Sequence, residues 1–534
     1  MSLNPWKSGL AGGWQVEDAA TFDEDRQIEA DVVVVGSGAG GGVAAETLSA
    51  AGLAVVIVEE GPLKTSDDFR MREADAYPQL YQESAARKTK DKAINILQGR
   101  CVGGSTTVNW TASFRTPPAT LDHWRRHFAL DDYSVDALAP WFERMETRLG
   151  IETWQVDPNA NNRILERGAA ALGWPAARMR RNVRGCGNLG YCGMGCPLNA
   201  KQSMLVTTIP AALERRARLL TRLRAQRLAI HQGAVVALEC CAMDAAGLRA
   251  NGKRVTLRAR HYVLAGGAIN TPALLLRSNA PDPHGRLGAR TFLHPTVLSA
   301  ARFDTPVRGD AGAPQSRYSD HFLETPPAEG PIGFKLEVPP IHPVLVATTL
   351  QGFGPDHAQS MRDFANTHAM LALLRDGFHA ESPGGRVELR SDGTPLLDYP
   401  LGNYLREGMR RAWLAMAELQ FAAGAREVLP MHARATPCRR WSEARSMIDG
   451  LPVEPHLARV VSAHAMGGCA MAADPAAGVV DGKGRHFQLG NVTVADGSLF
   501  PTGIGANPQL SIYAMVARNM AALAKELAGP APQS

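Results

Sequence analysis

The sequence predicts an α/β fold (α+β overall) in which a Rossmann-type domain is assembled from discontinuous segments. A second domain, built on an antiparallel sheet and helices, is inserted into it. Within residues 31–59 a buried strand, a glycine-rich turn, a helix and a second strand follow one another. Strand patterns at 215–276 and glycine-rich turns after 460 return to the same sheet. A proline-rich texture from about 300 to 450 indicates the insertion.

The composition is that of a globular protein large enough for two lobes. The chain has 534 residues, of which 45% are hydrophobic and 20% charged, and its net charge of +5 is too small to indicate nucleic-acid binding. Eight cysteines do not suggest a disulfide scaffold, and no apolar run reaches the roughly 18 residues of a membrane span. The N-terminal residues lack a secretory pattern. We therefore expect a soluble cytoplasmic protein, with peripheral contact to the inner face of a membrane left open.

The first strand–turn–helix unit predicts dinucleotide binding. Gly36 permits the tight turn after the strand, and Gly38 lets the backbone approach a pyrophosphate at the N-terminus of the following helix, which we place from about residue 43. Gly41 allows the helix to pack on the strand. Glu59 ends the second strand, 54–58, and is placed to accept hydrogen bonds from a ribose. The order of these elements makes the signal specific, whereas isolated glycines would indicate only a loop in a βαβ unit.

The domain organisation is predicted from changes in composition and in the spacing of apolar residues along the chain. Residues 403–424 carry apolar side chains at helical spacing, which indicates an amphipathic helix packed on a core, and 509–527 predict a last helix. No internal repeat is found. The predicted segments are a lead-in at 1–29, a nucleotide-binding domain at 30–115, 181–300 and 451–534, and a substrate-binding domain at 116–180 and 301–450.

Four further stretches have the residue types of a ligand site. Residues 99–109 form a second glycine turn with hydroxyls and an amide, and residues 262–272 form a strand, a tight turn and a helix start. Residues 462–469 set His464 among very small neighbours. Residues 494–509 place Asp496 after a strand and Asn507 just before a helix. Taken alone, His464 would most simply be structural and Asn507 a helix N-cap.

Together, these five stretches resemble the glucose-methanol-choline (GMC) flavoprotein oxidoreductases, in the same order and over nearly the whole chain. Within that family the sequence is most similar to the long-chain (fatty) alcohol oxidase and dehydrogenase branch. The stretches that carry this closer resemblance are Ala200-Lys201, Leu293-His294-Pro295, Ile341-His342-Pro343 and the segment 373–401. The resemblance implies FAD as cofactor and oxidation of an alcohol as activity.

The resemblance also implies roles for individual residues. His464 matches the family's active-site histidine, and Asn507 matches its partner position. The helix that Pro508 and Gln509 begin would direct its N-terminal amides at the flavin, where reduction creates negative charge. The implied FAD-binding residues are Gly36, Gly38, Gly41, Glu59, Gly103, Gly104, Ser105, Asn109, Ala265, Gly266, Asp496, Gly497, Pro508 and Gln509.

The expected reaction is removal of a proton from the hydroxyl and of a hydride from the carbon of a small-molecule alcohol. A histidine titrates near neutral pH, so His464 is the candidate base, and Asn507 can donate an N–H to the same oxygen. The electron acceptor is O2, or a quinone or cytochrome for a dehydrogenase. Two alternatives are an FAD-containing lyase of the same family and a flavin-binding protein without catalysis. We expect His294, His342 and His486 to be structural or to support the site.

Covalent attachment of the flavin is not expected. Some relatives attach it through a histidine in the second glycine segment, whose matching position here is Val108, so the resemblance implies non-covalent FAD. Cys186, Cys192 and Cys196 lie within eleven residues and could ligate an iron–sulfur cluster, but their spacing also suits a packing loop with free thiols. The latter is the expectation, with no metal. The adjacent Cys240-Cys241 pair is expected in a core strand.

Overall fold

The structure is a computed structural model that describes residues 4–327, 329–350 and 352–529. Helices lie between the strands along much of the chain, as expected for an α/β protein. None of the helices in these described residues is both long and apolar enough to cross a membrane. The α-helices are α1 (Pro5–Ala11), α2 (Ala39–Ala50), α3 (Glu73–Leu80), α4 (Ser105–Val108), α5 (Pro118–Phe128), α6 (Val135–Leu149), α7 (Ala160–Leu172), α8 (Thr208–Glu214), α9 (Gly267–Arg277), α10 (Pro343–Thr349), α11 (Gly354–Arg362), α12 (Asn403–Ala422), α13 (Trp441–Gly450) and α14 (Gln509–Ala528).

The strands form two large sheets and three small two-stranded ones across the described part of the chain. Their bounds are β1 (Gln15–Asp18), β2 (Arg26–Val35), β3 (Val55–Val58), β4 (Ile94–Ile96), β5 (Ile151–Thr153), β6 (Ala177–Arg178), β7 (Arg180–Asn182), β8 (Arg218–Thr221), β9 (Leu223–His231), β10 (Ala234–Met243), β11 (Ala250–Leu264), β12 (Thr291–Leu293), β13 (Thr296–Arg302), β14 (Arg317–Ser319), β15 (Phe334–Glu337), β16 (Thr367–Leu374), β17 (Arg386–Leu389), β18 (Pro395–Asp398), β19 (Glu427–Pro430), β20 (Val460–Ser462), β21 (Ala465–Gly467) and β22 (Val492–Val494).

The first large sheet carries the predicted nucleotide-binding unit. Its strand order is β1-β8-β3-β2-β11-β10-β9, parallel from β1 to β11 and antiparallel beyond, and β22 pairs with the end of β11. The central strand β2 has neighbours on both sides, and its residues 32–35 are buried on both faces. Such a strand is an uninterrupted apolar run rather than an alternating one. The return of residues 215–276 to this sheet is confirmed.

Helix α2 packs on β2 and β3 of this sheet, α14 and α8 pack on α2, and α6 packs on α14. Small residues allow this contact, since a Cβ at Gly42 of α2 would lie 2.6 Å from the hydroxyl of Thr208 on α8. α2 begins at Ala39, about four residues before the predicted start. The glycines that follow Ala39 have low helix propensity, but tertiary packing holds them in the helix.

The second large sheet is mainly antiparallel. Its order is β4-β20-β13-β16-β15-β14-β6, with β19 also paired to β13. Helix α12 lies across it, and the indole N–H of Trp413 donates to the carbonyl of Leu298 at 3.1 Å. The apolar stripe predicted for 403–424 is buried in this core, so its interpretation as packing is confirmed.

The structure differs from the predicted domain segments in two places. The lead-in 1–29 contributes β1 and the start of β2 to the first sheet, and Trp6 is buried there. Within 116–180, α5 and α6 share the core of the first sheet, whereas α7 packs on α12. The amphipathic spacing of a helix shows that one face is buried but not which neighbour covers it, so the sequence could not separate α6 from α7.

Candidate active site

The turn after β2 leaves no room for a side chain at three positions. Gly36 has a φ of +98°, and a Cβ there would lie 2.3 Å from the carbonyl oxygen of Ala265. A Cβ at Gly40 would lie 1.5 Å from the carbonyl oxygen of Ala495, and one at Gly41 would lie 1.9 Å from that of Gly36. The turn is therefore held between the ends of β11 and β22, and glycine is required for this close approach.

Gly38 is different because a Cβ there would meet only the Cα of Gly104, at 3.8 Å. Its open side faces a cavity that residues of both glycine segments line. Gly38 is also the N-cap of α2, and no side chain caps this helix end. The first amides of the helix and the positive end of its dipole are consequently free to bind an anion such as a pyrophosphate.

Glu59 lies directly after β3 and is buried beneath the glycine turn. One of its carboxylate oxygens accepts hydrogen bonds from the N–H and the hydroxyl of Ser37, at 3.1 and 2.5 Å. The other, Oε1, accepts one from the N–H of Gly61 at 2.8 Å. A carboxylate oxygen has two acceptor positions, so Oε1 retains one for a ribose hydroxyl. Burial raises the pKa of this carboxyl, against the hydrogen bonds from Ser37 and Gly61.

The second glycine segment, 99–109, lies against the first. The N–H of Gly103 donates to the hydroxyl of Ser37 at 3.0 Å, and Gly103 and Gly104 have φ values of +88° and +52°. A Cβ at Gly104 would lie 2.8 Å from the Cα of Gly38, so the two turns touch through their backbones. Their contact forms one wall of the cavity and brings the hydroxyl-rich helix α4 beside it.

The carboxylate of Asp496 has all its acceptor positions taken by the protein. Oδ2 accepts from the N–H of Gly267 and the hydroxyl of Thr271, at 2.8 and 2.6 Å, and Oδ1 from the N–H and hydroxyl of Ser498, at 2.8 and 2.5 Å. Asp496 therefore fixes the start of α9 to the end of β22. Contact with a ribityl chain or pyrophosphate, which the resemblance implies for this position, would come from the backbone of 496–497.

A cavity of about 770 Å³ connects these elements, a volume in the upper part of the range of ligand sites. It runs from Glu59 at one end to His464 and Asn507 at the other. Gly41 and Gly103 do not line it. The predicted cofactor residues that line it are Gly36, Gly38, Glu59, Gly104, Ser105, Asn109, Ala265, Gly266, Asp496, Gly497, Pro508 and Gln509.

His464 and Asn507 meet at one end of the cavity although they lie far apart in sequence. His464 follows β20 and Asn507 precedes α14, and the distance from His464 Nε2 to Asn507 Nδ2 is 3.5 Å. The Oδ1 atom of Asn507 is buried and has no hydrogen-bond partner among the described residues. A buried amide oxygen without a partner is costly, and a bound hydroxyl group would satisfy it.

The imidazole of His294 forms a hydrogen bond with that of His464. The Nδ1 atoms of the two rings are 3.0 Å apart, and the N–H of Gly505 donates to His294 Nε2 at 3.3 Å. Burial lowers the pKa of His294 well below its usual value and that of His464 to about 4, so both rings are neutral at neutral pH. One Nδ1 therefore carries a proton and the other accepts it. With the proton on His294, the N–H of Gly505 donates to His294 Nε2, and with the proton on His464, the amide N–H of Asn507 donates to His464 Nε2.

Glu337 completes this end of the site and was not predicted from the sequence. Its Oε2 accepts a hydrogen bond from the amide of Asn507 at 3.4 Å and another from Gln315, and its Oε1 is buried without a partner among the described residues. Burial raises the pKa of Glu337 to about 7, against the opposing effect of Lys335. The sequence did contain a signal for it. Lys335 and Glu337 are two residues apart, so they lie on the same face of β15, and two charged residues are unusual in a buried strand.

The first turn of α14 is tied to the second glycine segment by Gln509. Its amide N–H donates to the carbonyl of Ala112 at 2.7 Å, and its Oε1 accepts from Asn109 and Tyr513 at 2.7 and 2.9 Å. No side chain caps α14 at Pro508. The side chain of Gln509 thus positions the helix, while the helix N-terminus itself opens on the cavity.

The cysteine loop, which contains Cys186, Cys192 and Cys196, is tied to the second glycine segment by Lys201. The buried ammonium of Lys201 donates to the carbonyl oxygens of Thr107, Asn109 and Cys192 at 2.6, 2.8 and 2.7 Å, and burial lowers its pKa to about 8. Within the described chain, the thiols of Cys186, Cys192 and Cys196 do not converge into a group that could hold a metal ion. This geometry favours the packing loop with free thiols.

The remaining sequence-predicted positions lie near or outside the cavity. Val108 lines it and is buried. His342 stacks on Tyr191 with ring centroids 4.7 Å apart, and His486 accepts a hydrogen bond from the N–H of Gln488 at 3.1 Å, both away from the cavity lining. Cys240 and Cys241 are buried in β10.

The chain is similar in sequence to known proteins of one family. Models of the GMC oxidoreductase family match residues 77–296 and 356–516, and a model of the FAD binding domain matches residues 31–70. An uncharacterised GMC-type oxidoreductase of Sinorhizobium fredii is 30% identical, over 93% of this chain and 95% of its own length. A long-chain-alcohol oxidase of Arabidopsis thaliana is 27% identical, over 92% of this chain and 66% of its own length.

Solved structures share the same architecture. Pyridoxine 4-oxidase from Mesorbium loti has a TM-score of 0.66 at 19% identity, over 92% of this chain and 98% of that one. A mutated form of a formate oxidase has the same TM-score at 17% identity, over 94% of this chain and 99% of that one. At such identities the likeness shows the fold alone, and it confirms the predicted fold class. With the family models and the sequence relatives, it establishes that this chain belongs to the GMC oxidoreductase family and is an FAD-dependent oxidoreductase.

Proposed function

We propose that this protein oxidises the CH–OH group of an aliphatic or weakly activated alcohol to an aldehyde or ketone. The observation that carries the proposal is the orphaned Oδ1 of Asn507, whose amide nitrogen lies 3.5 Å from Nε2 of His464, at the end of a cavity built for a dinucleotide. A hydroxyl group placed there can donate its proton to Oδ1 or to an unprotonated Nε2, since both are acceptors. The relatives named long-chain-alcohol oxidases support an alcohol as the donor.

FAD, when bound, supplies the hydride acceptor, and the chain supplies binding, orientation and proton transfer. Glu59 would hold the adenosine ribose through its remaining acceptor position, and the uncapped end of α2 would hold the pyrophosphate. The uncapped end of α14 places positive dipole charge at the reacting end of the cavity. The remaining acceptor position of Glu59 and the two uncapped helix ends suit these groups of the cofactor.

His464 accepts the hydroxyl proton at Nε2, and His294 makes this position available. In this role His464 carries its own proton on Nδ1 and donates it to Nδ1 of His294, so Nε2 is unprotonated and can accept. His294 is therefore a positioning residue for His464.

Apolar residues of the second domain line the reacting end of the cavity and support an aliphatic substrate. Leu371 and Leu373 of β16 and Val461 of β20 lie in its wall, with Thr296 and Gln315 as polar members. An alkyl chain would be buried there while its hydroxyl reaches Asn507.

The decisive experiment is anaerobic mixing of the purified yellow protein with primary, secondary and sterol alcohols. We expect one class to bleach the flavin absorbance. Oxygen consumption against reduction of an artificial dye then separates an oxidase from a dehydrogenase, and iron content tests a cluster in the cysteine loop. Product formation without any bleaching would favour the lyase instead.

We also propose that the FAD is not covalently bound. Val108 has no nucleophilic atom at the position where some relatives carry a histidine link. We expect all of the yellow colour to remain in solution after acid precipitation of the protein. Colour in the washed precipitate would contradict this.

Replacement of Glu337 with glutamine should stabilise the protein above pH 7. The pKa of this carboxyl is about 7 in the folded state against 4.5 ordinarily, so the folded state retains a proton that the unfolded state releases. Folding stability contributed by this group is complete below about pH 4.5 and is lost as pH rises to about 7, by about 3 kcal/mol. Glutamine resembles the protonated acid and avoids that loss.

The measurement is thermal unfolding of variant and parent between pH 5 and 8.5, roughly the range over which Glu337 changes charge. We expect nearly equal Tm values at the low end and a variant Tm higher by a few degrees at the high end. Glu381→Gln, at an exposed position, is the matched control and should track the parent. A difference that stays constant with pH would contradict the assignment.

A further inference from the structure

A group of three potential metal ligands lies outside the cavity. His123 and His127 are one turn apart on α5, and Glu329 reaches them from the loop that precedes β15. Each offers one ligating atom, and these atoms all lie within 4.8 Å of one another. No other such group occurs in the residues that the structure describes.

The distances suit coordination as well as hydrogen bonding. Oε1 of Glu329 is 3.2 Å from Nδ1 of His123 and 3.5 Å from Nε2 of His127. Zinc binds nitrogen and oxygen ligands at about 2.0–2.2 Å, which places neighbouring ligand atoms of a tetrahedron roughly 3.3–3.5 Å apart. An ion bound by all three atoms requires the two rings, which stack at an interplanar angle of 29°, to turn until both nitrogens point at it.

The helix brings the two imidazoles together. Histidines four residues apart face the same side of a helix, the spacing by which helical zinc sites present two nitrogens. The rings stack with centroids 4.2 Å apart, and that of His123 also packs 4.8 Å from the ring of Phe378.

The group is also open to solvent on one side. The side chain of His123 is 6% exposed, whereas those of His127 and Glu329 are 48% and 35% exposed. An ion could therefore enter from solution and keep water as a fourth ligand. The nearby cation Arg126 is paired with Asp122 at 3.1 Å, which reduces its repulsion of an incoming ion.

Its position links two parts of the active site. On the same helix, the indole N–H of Trp124 donates to the hydroxyl of Thr502 at 2.7 Å, and the hydroxyl of Thr120 to the carbonyl of Ile504 at 3.0 Å. The segment 502–504 leads directly to Asn507. The loop of Glu329 leads to β15, which carries Glu337. A cross-link here would tie together the two segments that bring Asn507 and Glu337 into contact.

We propose that His123, His127 and Glu329 form a binding site for a divalent transition metal, with Zn²⁺ as the expected ion. Two neutral imidazoles and one carboxylate form a donor set that zinc accepts, and the solvent-open side allows it to retain a water molecule. The site has a structural role that is separate from the flavin chemistry, because it lies outside the cavity lining.

The test is titration of the tag-free FAD-loaded protein, first freed of metal by a chelator, with Zn²⁺ by calorimetry and with Co²⁺ by visible absorption beyond the flavin bands. We expect saturation at one metal per chain, a tetrahedral Co²⁺ spectrum, and a Tm that rises with Zn²⁺. His127→Ala and Glu329→Gln should each weaken binding at least about tenfold, since each removes one of three protein ligands.

His127→Ala removes a half-exposed side chain, so the variant is expected to fold, and retained FAD absorbance verifies this. His284→Ala removes an exposed histidine elsewhere and should bind like the parent. Absence of saturable binding by the parent, or equal binding by the parent and both ligand variants, would overturn the proposal and leave His123–Glu329 as a simple hydrogen bond.

Discussion

Replacing His464 with alanine should leave yellow, FAD-loaded protein whose flavin is reduced by alcohol about 10²- to 10⁴-fold more slowly than in the parent. The imidazole lies at the reacting end of the cavity, 3.5 Å from the amide of Asn507, and its neutral form persists down to about pH 4. Its removal takes away the proton acceptor but none of the contacts that the glycine turns, Glu59 and α2 make. Anaerobic stopped-flow absorbance of the flavin measures the rate.

The matched control is His486→Ala. His486 is also a buried histidine of the C-terminal segment, but it lies outside the cavity lining. This variant could lose stability, yet its rate per bound flavin should stay within about twofold of the parent, because it removes nothing that touches the reacting groups. If His464→Ala binds FAD fully and reduces it at the parental rate, the imidazole takes no part in proton removal.

The local elements of the fold could be predicted because short-range patterns fix them. A buried central strand, a glycine turn and a helix require particular residue types in adjacent positions, and residues 31–59 have them. The amphipathic stripe of 403–424 likewise identified α12. The partners of α5, α6 and α7 could not be predicted, because their apolar faces suit either core equally well.

The candidate site shows the same limit. His464 and Asn507 were identified through their family resemblance, but their neighbours come from strand pairing between distant segments. The register of β15 on β16 sets Glu337 opposite Leu371, whose side chain lines the cavity. The contact between His294 and His464 likewise depends on the pairing of β12 with β21. Long-range register of this kind is not encoded in local spacing.

Chemical identity also proved insufficient to assign the two acidic cofactor residues. Glu59 and Asp496 are both buried carboxylates at strand ends, and the resemblance implies cofactor contact for both. In the structure, Glu59 retains an acceptor position on Oε1, whereas four hydrogen bonds occupy Asp496. The difference depends on the hydroxyls of Thr271 and Ser498, which look like ordinary turn residues in the sequence.

Gly38→Ala should give a folded protein that binds FAD about 10- to 100-fold more weakly, whereas Gly40→Ala should fail to fold. An added methyl group at Gly38 meets only the Cα of Gly104, at 3.8 Å, and projects into the cavity where the pyrophosphate is expected. Overpacking of this kind costs about 1–3 kcal/mol. Here the clash arises only when FAD is bound, so it weakens binding and not folding. At Gly40 the methyl group would lie 1.5 Å from the carbonyl of Ala495, within the protein itself.

Fluorescence titration of FAD into deflavinated protein measures the first effect, and circular dichroism with yield in the absence of FAD measures the second. Gly450→Ala is the matched control, since a Cβ there has no heavy atom within 4 Å, and it should leave both quantities unchanged. The two variants separate two reasons for a glycine in this motif: room for the ligand at Gly38 and room for the neighbouring backbone at Gly40. Parental FAD affinity in Gly38→Ala would mean that the cofactor does not pass over the end of α2, and the assignment of that helix end as the pyrophosphate site would then be wrong.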